Sequence, residues 1–161
     1  MKRSILFVIT LLTILLLEKD CVVAQSYTIG ARSGLSLASA NGSSTSGFQL
    51  GPTFDMSFGK GRLGSDFTIN TQNGNPVIWA NYFKYLFYLS GSKIIPYADG
   101  GFSLWFVTGG PYFGLQFGGG AYFPLTKDIS IPADIQIGPV FTTGSTTFYL
   151  AMTSGIRYTL P

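Results

Sequence analysis

The sequence predicts an all-β fold, an eight-stranded antiparallel up-and-down barrel that spans a membrane, and three observations predict it. The first is alternation: Phe148, Leu150, Met152, Ile156, Tyr158 and Leu160 recur every second residue in the last stretch, with mostly polar or small residues between them. The second is repetition, because eight runs of this kind follow one another with turn residues between them and no convincing helical period. The third is the distribution of charge. Twelve charges remain in the 137 residues that follow Ala24, about a third of the density usual in soluble domains.

Residues 1–24 read as a cleaved secretory signal peptide. Lys2 and Arg3 give a positive start, Ile5 to Leu17 an apolar core, and Val22-Val23-Ala24 small residues before a cut at Gln25. That core has thirteen residues, too few for a helix that crosses a bilayer. Cys21 follows Glu18-Lys19-Asp20, a poor context for lipidation. Residues 25–161 are then one barrel domain. It has seven basic and five acidic residues, a net charge of +2, and no cysteine, histidine or glutamate. A disulfide framework and a thiolate metal site are excluded, and no cofactor is expected. The Lys and Arg residues form no cluster that would grip phosphates, so nucleic acid is not an expected partner.

In order, the strands are expected near 27–37, 47–58, 62–71, 77–89, 94–107, 112–123, 129–141 and 146–161. The first begins after the signal peptide and ends at the polar loop Ala38 to Ser46. The second alternates Phe48, Leu50, Pro52, Phe54, Met56 and Phe58 with Gln49, Gly51, Thr53, Asp55 and Ser57, and Lys60-Gly61 turns it into the third. Asn73-Gly-Asn-Pro76 leads to the fourth, whose apolar face Val77, Trp79, Phe83, Tyr85, Phe87 and Leu89 is broken by Asn81, with Ala80, Tyr82, Lys84 and Tyr88 opposite. Ser90-Gly-Ser-Lys93 introduces the fifth, and Thr108-Gly-Gly-Pro111 the sixth. The seventh, after Thr126-Lys-Asp128, alternates Ile129, Ile131, Ala133, Ile135 and Ile137 with polar or small residues. Thr142-Thr-Gly-Ser145 leads to the eighth. Pro52, Pro96, Pro132 and Pro139 fall inside strands, where each removes a ladder donor, so bulges or shortened fifth and seventh strands are expected.

The charges sort by position. Arg32, Asp55, Arg62, Asp66, Lys84, Asp99, Asp134 and Arg157 all fall on the polar parity of their strands, four of each sign, and form the expected lumen charge network. Lys60, Lys93, Lys127 and Asp128 lie in the second, fourth and sixth connections; the odd connections carry no charge. With residue 25 on the periplasmic side, the even connections are periplasmic turns. Tight hairpins fix the register. Leu89 opposite Ile94 sets Lys84 against Asp99, and Leu125 opposite Ile129 sets Asp134 against Gly120. Val107 opposite Tyr112 sets Asp99 against Gly120 as well, and Gly59 opposite Arg62 sets Asp55 against Asp66. Two close carboxylates could share a proton or hold a cation, but neutralisation by Arg32, Arg62 or Arg157 is the favoured reading. Eight strands enclose only enough space for side chains, so a plugged lumen is expected.

Ser154-Gly-Ile-Arg-Tyr-Thr-Leu160 resembles the C-terminal β-signal of outer-membrane barrels, although Pro161 stands where an aromatic is commoner. With the leader, the strand count and the glycine-rich Tyr112 to Phe123, this stretch makes the chain resemble the small eight-stranded outer-membrane barrels of the OmpA, OmpX and OmpW kind. The resemblance implies an integral outer-membrane protein of a Gram-negative envelope, in contact with outer-membrane lipids and monomeric. It also implies that Gly155, Ile156, Tyr158 and Leu160 form an insertion signal read by the barrel-insertion machinery after delivery by periplasmic chaperones. A structural role in the envelope is the first functional reading. A narrow channel or uptake protein for small or hydrophobic solutes is the second, and a secreted soluble lipocalin-like barrel the third. Catalysis is not expected, because the barrel enzymes of this membrane rely on a histidine beside a serine or an acid, and the chain has none.

Overall fold

The computed structural model describes residues 26–72, 74–107 and 109–160, and the expected signal peptide with Cys21 lies outside them, as do Asn73, Thr108 and Pro161. Eight strands follow the alternating runs: β1 (Tyr27–Ala40), β2 (Ser43–Phe58), β3 (Gly61–Asn70), β4 (Val77–Leu86), β5 (Ile95–Val107), β6 (Gly110–Pro124), β7 (Ile129–Thr142) and β8 (Ser145–Thr159). Each pairs antiparallel with its sequence neighbour, and β1 pairs with β8 to close the barrel. The shortest strands, β3 and β4, have ten residues, the length a tilted strand needs to cross a bilayer.

The faces are inverted relative to a soluble protein. Among the described residues, seventeen buried side chains are polar or charged and ten are apolar. Large apolar side chains line the outside instead, with Leu35 at 68% exposure, Phe148 at 65% and Ile69 at 59%. Outward rings also stack on one another, as in the row Phe102, Phe113 and Phe141, with centroids 6.2 and 6.3 Å apart. A lipocalin-like barrel needs its ions outward and its apolar side chains inward. The soluble reading is therefore wrong.

Three hairpins are tighter than the sequence reading has them, one of them β7–β8, where Thr142 pairs with Ser145. β1 and β2 extend to Ala40 and Ser43 and leave only Asn41-Gly42 in the turn, with φ of 50° and 78°. Positive φ at both central residues is the type I′ geometry that Asn-Gly favours, so the expected nine-residue loop is mostly strand. Val107 pairs with Gly110 rather than Tyr112, which places Asp99 against Gly118 and not Gly120. β4 ends at Leu86, three residues early, and Tyr88 is exposed rather than inward.

The prolines neither bulge the strands nor shorten β5 and β7. Leu50 pairs with Ile69 and Thr53 with Asp66 in one continuous register on the two sides of Pro52. Pro132 and Pro139 are likewise flanked by pairs in a single register. Ser154 Oγ donates to the Pro132 carbonyl at 2.9 Å, and Phe87 N to that of Pro96 at 2.8 Å. A missing N–H costs one rung on one side only, and the opposite ladder holds the strand in place.

Candidate functional site: the lumen

The inward residues stack in layers set by the register. At the end nearest the β2–β3, β4–β5 and β6–β7 turns, Leu86, Tyr97 and Tyr122 form one apolar cluster. At the other end Ile78, Trp105, Val140, Tyr149 and Ala151 form a second. Between them lie a charged layer and a layer of carboxamides that includes Gln49, Gln116 and Gln136, all buried.

Arg32 is the hub of the charged layer. From β1 its guanidinium reaches two strands away in both directions, donating to Asp66 on β3 and, at 2.5 Å, to Asp134 on β7, and also to Thr153 on β8. Thr153 donates to Asp134 at 2.7 Å, Tyr97 to Asp134 at 3.1 Å, and Tyr82 to Asp66. A second centre lies nearer the turns. Arg157 on β8 is ion-paired with Asp55 on β2 and donates to the Tyr122 hydroxyl at 2.5 Å, which itself donates to Asp55 at 3.4 Å. With these ion pairs and hydrogen bonds around them, Asp66 and Asp134 meet the condition under which buried charge is tolerated, whereas Asp55 is ion-paired through Oδ2 with its Oδ1 left without a donor among the described residues.

The structure places all eight charged strand residues on the inward face, with Arg62 and Asp99 half-buried and the other six buried. Arginines neutralise Asp55 and Asp66 as favoured, but the residue opposite each of these two carboxylates differs from the expected one. Asp55 pairs with Gly64 and Asp66 with Thr53, so the two carboxylates are not opposite each other and make no shared cation site. Lys84 does lie opposite Asp99, and Asp134 opposite Gly120. Yet Lys84 is held elsewhere: its ammonium donates to Tyr122 at 3.2 Å and lies 4.7 Å from the ring centres of both Tyr82 and Tyr97. Both Asp99 carboxylate oxygens are buried without a hydrogen-bond donor among the described residues. The tyrosines are what the sequence reading missed. Tyr82 was sorted to the inward parity, but nothing in its spacing pointed to a cage of three rings for one lysine.

Free space inside is slight. Two voids among these side chains, one beside Arg32, Lys84 and Arg157 and one beside Gln116, Gln136 and Tyr149, each hold about 10 Å³. That is room for about one water molecule.

No protein-family model and no curated protein matches the chain. Solved structures do. The crystal structure of Neisserial surface protein A aligns over 84% of this chain and 98% of that one, with a TM-score of 0.73 and 18% identity. The N-terminal β-barrel domain of OprF from Pseudomonas aeruginosa aligns over 83% of this chain and 97% of that one, with a TM-score of 0.59 and 11% identity. This chain has the outer-membrane barrel fold. As in any barrel of this type, small residues decide how closely the inner side chains pack. In this barrel a Cβ on Gly64 would lie 2.0 Å from the Tyr82 ring and 2.5 Å from Asp55 Oδ1. Gly64→Ala is therefore expected to displace both and to destabilise the barrel by about 1–3 kcal/mol, read from urea unfolding in vesicles; an unchanged midpoint would show that the ring can move aside freely.

The residues of the expected insertion signal lie along the β8 end of the seam. Gly155 pairs with Arg32, and a Cβ there would meet Ala31 O at 2.1 Å. Ile156, Tyr158 and Leu160 point outward, and Leu160 N donates to Tyr27 O at 2.7 Å.

Proposed function

We propose that this chain is a structural barrel of the outer membrane whose lumen is a closed, ion-paired core rather than a solute path. The observation that carries the reading is the stacking of two apolar clusters on a crosslinked charge layer with only water-sized gaps between the side chains. A channel needs continuous polar space, and an uptake protein needs an inner cavity for its ligand. Here the Arg32 and Arg157 centres fill the cross-section. Catalysis is not part of this reading, because Asp55, Asp66 and Asp134 are held by arginines and the chain offers no histidine to act with a serine. In this reading Gly155, Ile156, Tyr158 and Leu160 serve as the signal for the insertion machinery, and the barrel works as a monomer.

Planar-bilayer recording tests the central point. The purified, refolded barrel is expected to give no resolved conductance steps at about 100 mV, whereas a Trp105→Ala, Tyr149→Ala double variant thins one apolar cluster and leaves the Arg32 layer as the remaining block. Regular steps from the wild type would refute the closed lumen. Mobility that shifts on heating in detergent gels is the accompanying check that the barrel has folded.

A further inference from the structure

The exposed charges of this barrel are confined to one end. Lys60, Lys93 and Lys127 each occupy one turn there, β2–β3, β4–β5 and β6–β7, with Asp128 beside the last. The opposite connections hold no charged residue among those described. Among the described residues no carboxylate pairs with Lys60 or Lys93, and Lys127 meets Asp128 only at 3.8 Å with its side chain 90% exposed. A contact of that kind neutralises little. The rim therefore carries a net charge of +2.

Its arrangement says what it faces. Because the barrel closes in sequence order, the three turns alternate around the rim with the seam of β1 and β8, so the lysines encircle the barrel instead of forming a patch on one side. A folded partner with an acidic surface would meet one or two of them. A sheet of headgroups meets all three. In sequence each lysine lies within four residues of exposed apolar side chains, Phe58 by Lys60, Leu89 and Ile94 by Lys93, and Leu125 by Lys127. Those side chains belong in hydrocarbon, which puts the ammonium groups at the depth of lipid phosphates, where long basic side chains settle.

We propose that this rim selects anionic phospholipid headgroups in the leaflet that the three turns face, by charge from a ring of single lysines and without a closed binding pocket. An attraction of this sort falls off with ionic strength and is shared among the three positions.

Spin-labelled phosphatidylglycerol and phosphatidylcholine, each added to the refolded barrel in phosphatidylcholine vesicles, read the selectivity directly. The wild type is expected to hold the anionic label about threefold or more in preference at low salt, and to lose the preference near 1 M salt, where screening reaches about 3 Å. Lys60→Gln, Lys93→Gln and Lys127→Gln together are expected to abolish it, single variants to reduce it in part, and the three Lys→Arg changes to keep it. Gel mobility that shifts on heating verifies that each variant is folded. Equal retention of both labels by the wild type overturns the proposal. So does loss of all selectivity from one substitution, which indicates a point site, or binding of isolated anionic cell-wall polymer with no lipid preference.

Discussion

Arg32→Met is expected to destabilise the barrel by about 3–5 kcal/mol, the cost of leaving buried carboxylates without their cation. Asp66 and Asp134 are both buried, and both depend on this one guanidinium for their ion pairs. Tyr82, Tyr97 and Thr153 would still donate to them, but those hydroxyls carry no charge. The triple variant Arg32→Met, Asp66→Asn, Asp134→Asn is expected to recover most of the loss, since it removes all three charges together and keeps the volumes. Urea unfolding in vesicles, followed by tryptophan fluorescence, measures both. Trp105 reports from inside the barrel and Trp79 from its lipid face. If Arg32→Met left stability within about 0.5 kcal/mol of wild type, an effect no larger than an ordinary surface change, the central role of Arg32 would be lost.

Ile135→Arg tests the other face. Ile135 sits midway along β7, 48% exposed between Gly119 and Met152. If hydrocarbon surrounds it, the substitution is expected to cost about 2–4 kcal/mol, as for a cation at the bilayer midplane. Thr143→Arg, at an exposed turn, is the control and is expected to be nearly neutral. A protein that lived in water would respond in the opposite way, because an arginine in place of an exposed isoleucine raises solubility. Equal stability of the two variants in vesicles would remove the bilayer from around β7.

The strands were legible because a barrel wall obeys one rule. Each residue faces either lipid or lumen, so a period of two survives in β2 and β7 despite their prolines. The register was legible where a turn had a definite length, as in Ser90 to Lys93, which fixed Lys84 against Asp99. It failed by two residues at β2–β3, where the two-residue turn falls on Gly59-Lys60 with Gly59 at positive φ instead of on Lys60-Gly61, and at β5–β6, where the glycines at 109 and 110 allow a tighter hairpin than the composition suggests. An error of two keeps the face of every side chain and changes only its neighbour. That is why the inward placement of Asp55, Asp66 and Asp99 held while their opposing residues moved. Neutralisation of Asp66 by Arg32 and of Asp55 by Arg157 was among the expected pairings, but the reach of Arg32 to Asp134 and Thr153 was not legible. Register arguments see adjacent strands, and a long side chain in a narrow lumen passes over its neighbour to reach the strand beyond.

That reach has a consequence for assembly. Arg157 on the last strand meets Asp55 on the second, and Arg32 on the first meets Asp134 and Thr153 on the last two. Every one of these contacts crosses the seam. An open sheet of the same eight strands has no way to make them, so Asp55 and Asp134 stay apart from Arg157 and Arg32 until the first and last strands meet, and only the Arg32–Asp66 pair lies within one side of the seam. Neutralisation of Asp55 and Asp134 and closure then happen in one step, and a half-zipped barrel gains neither pair. The charges act as a latch that rewards only the finished ring.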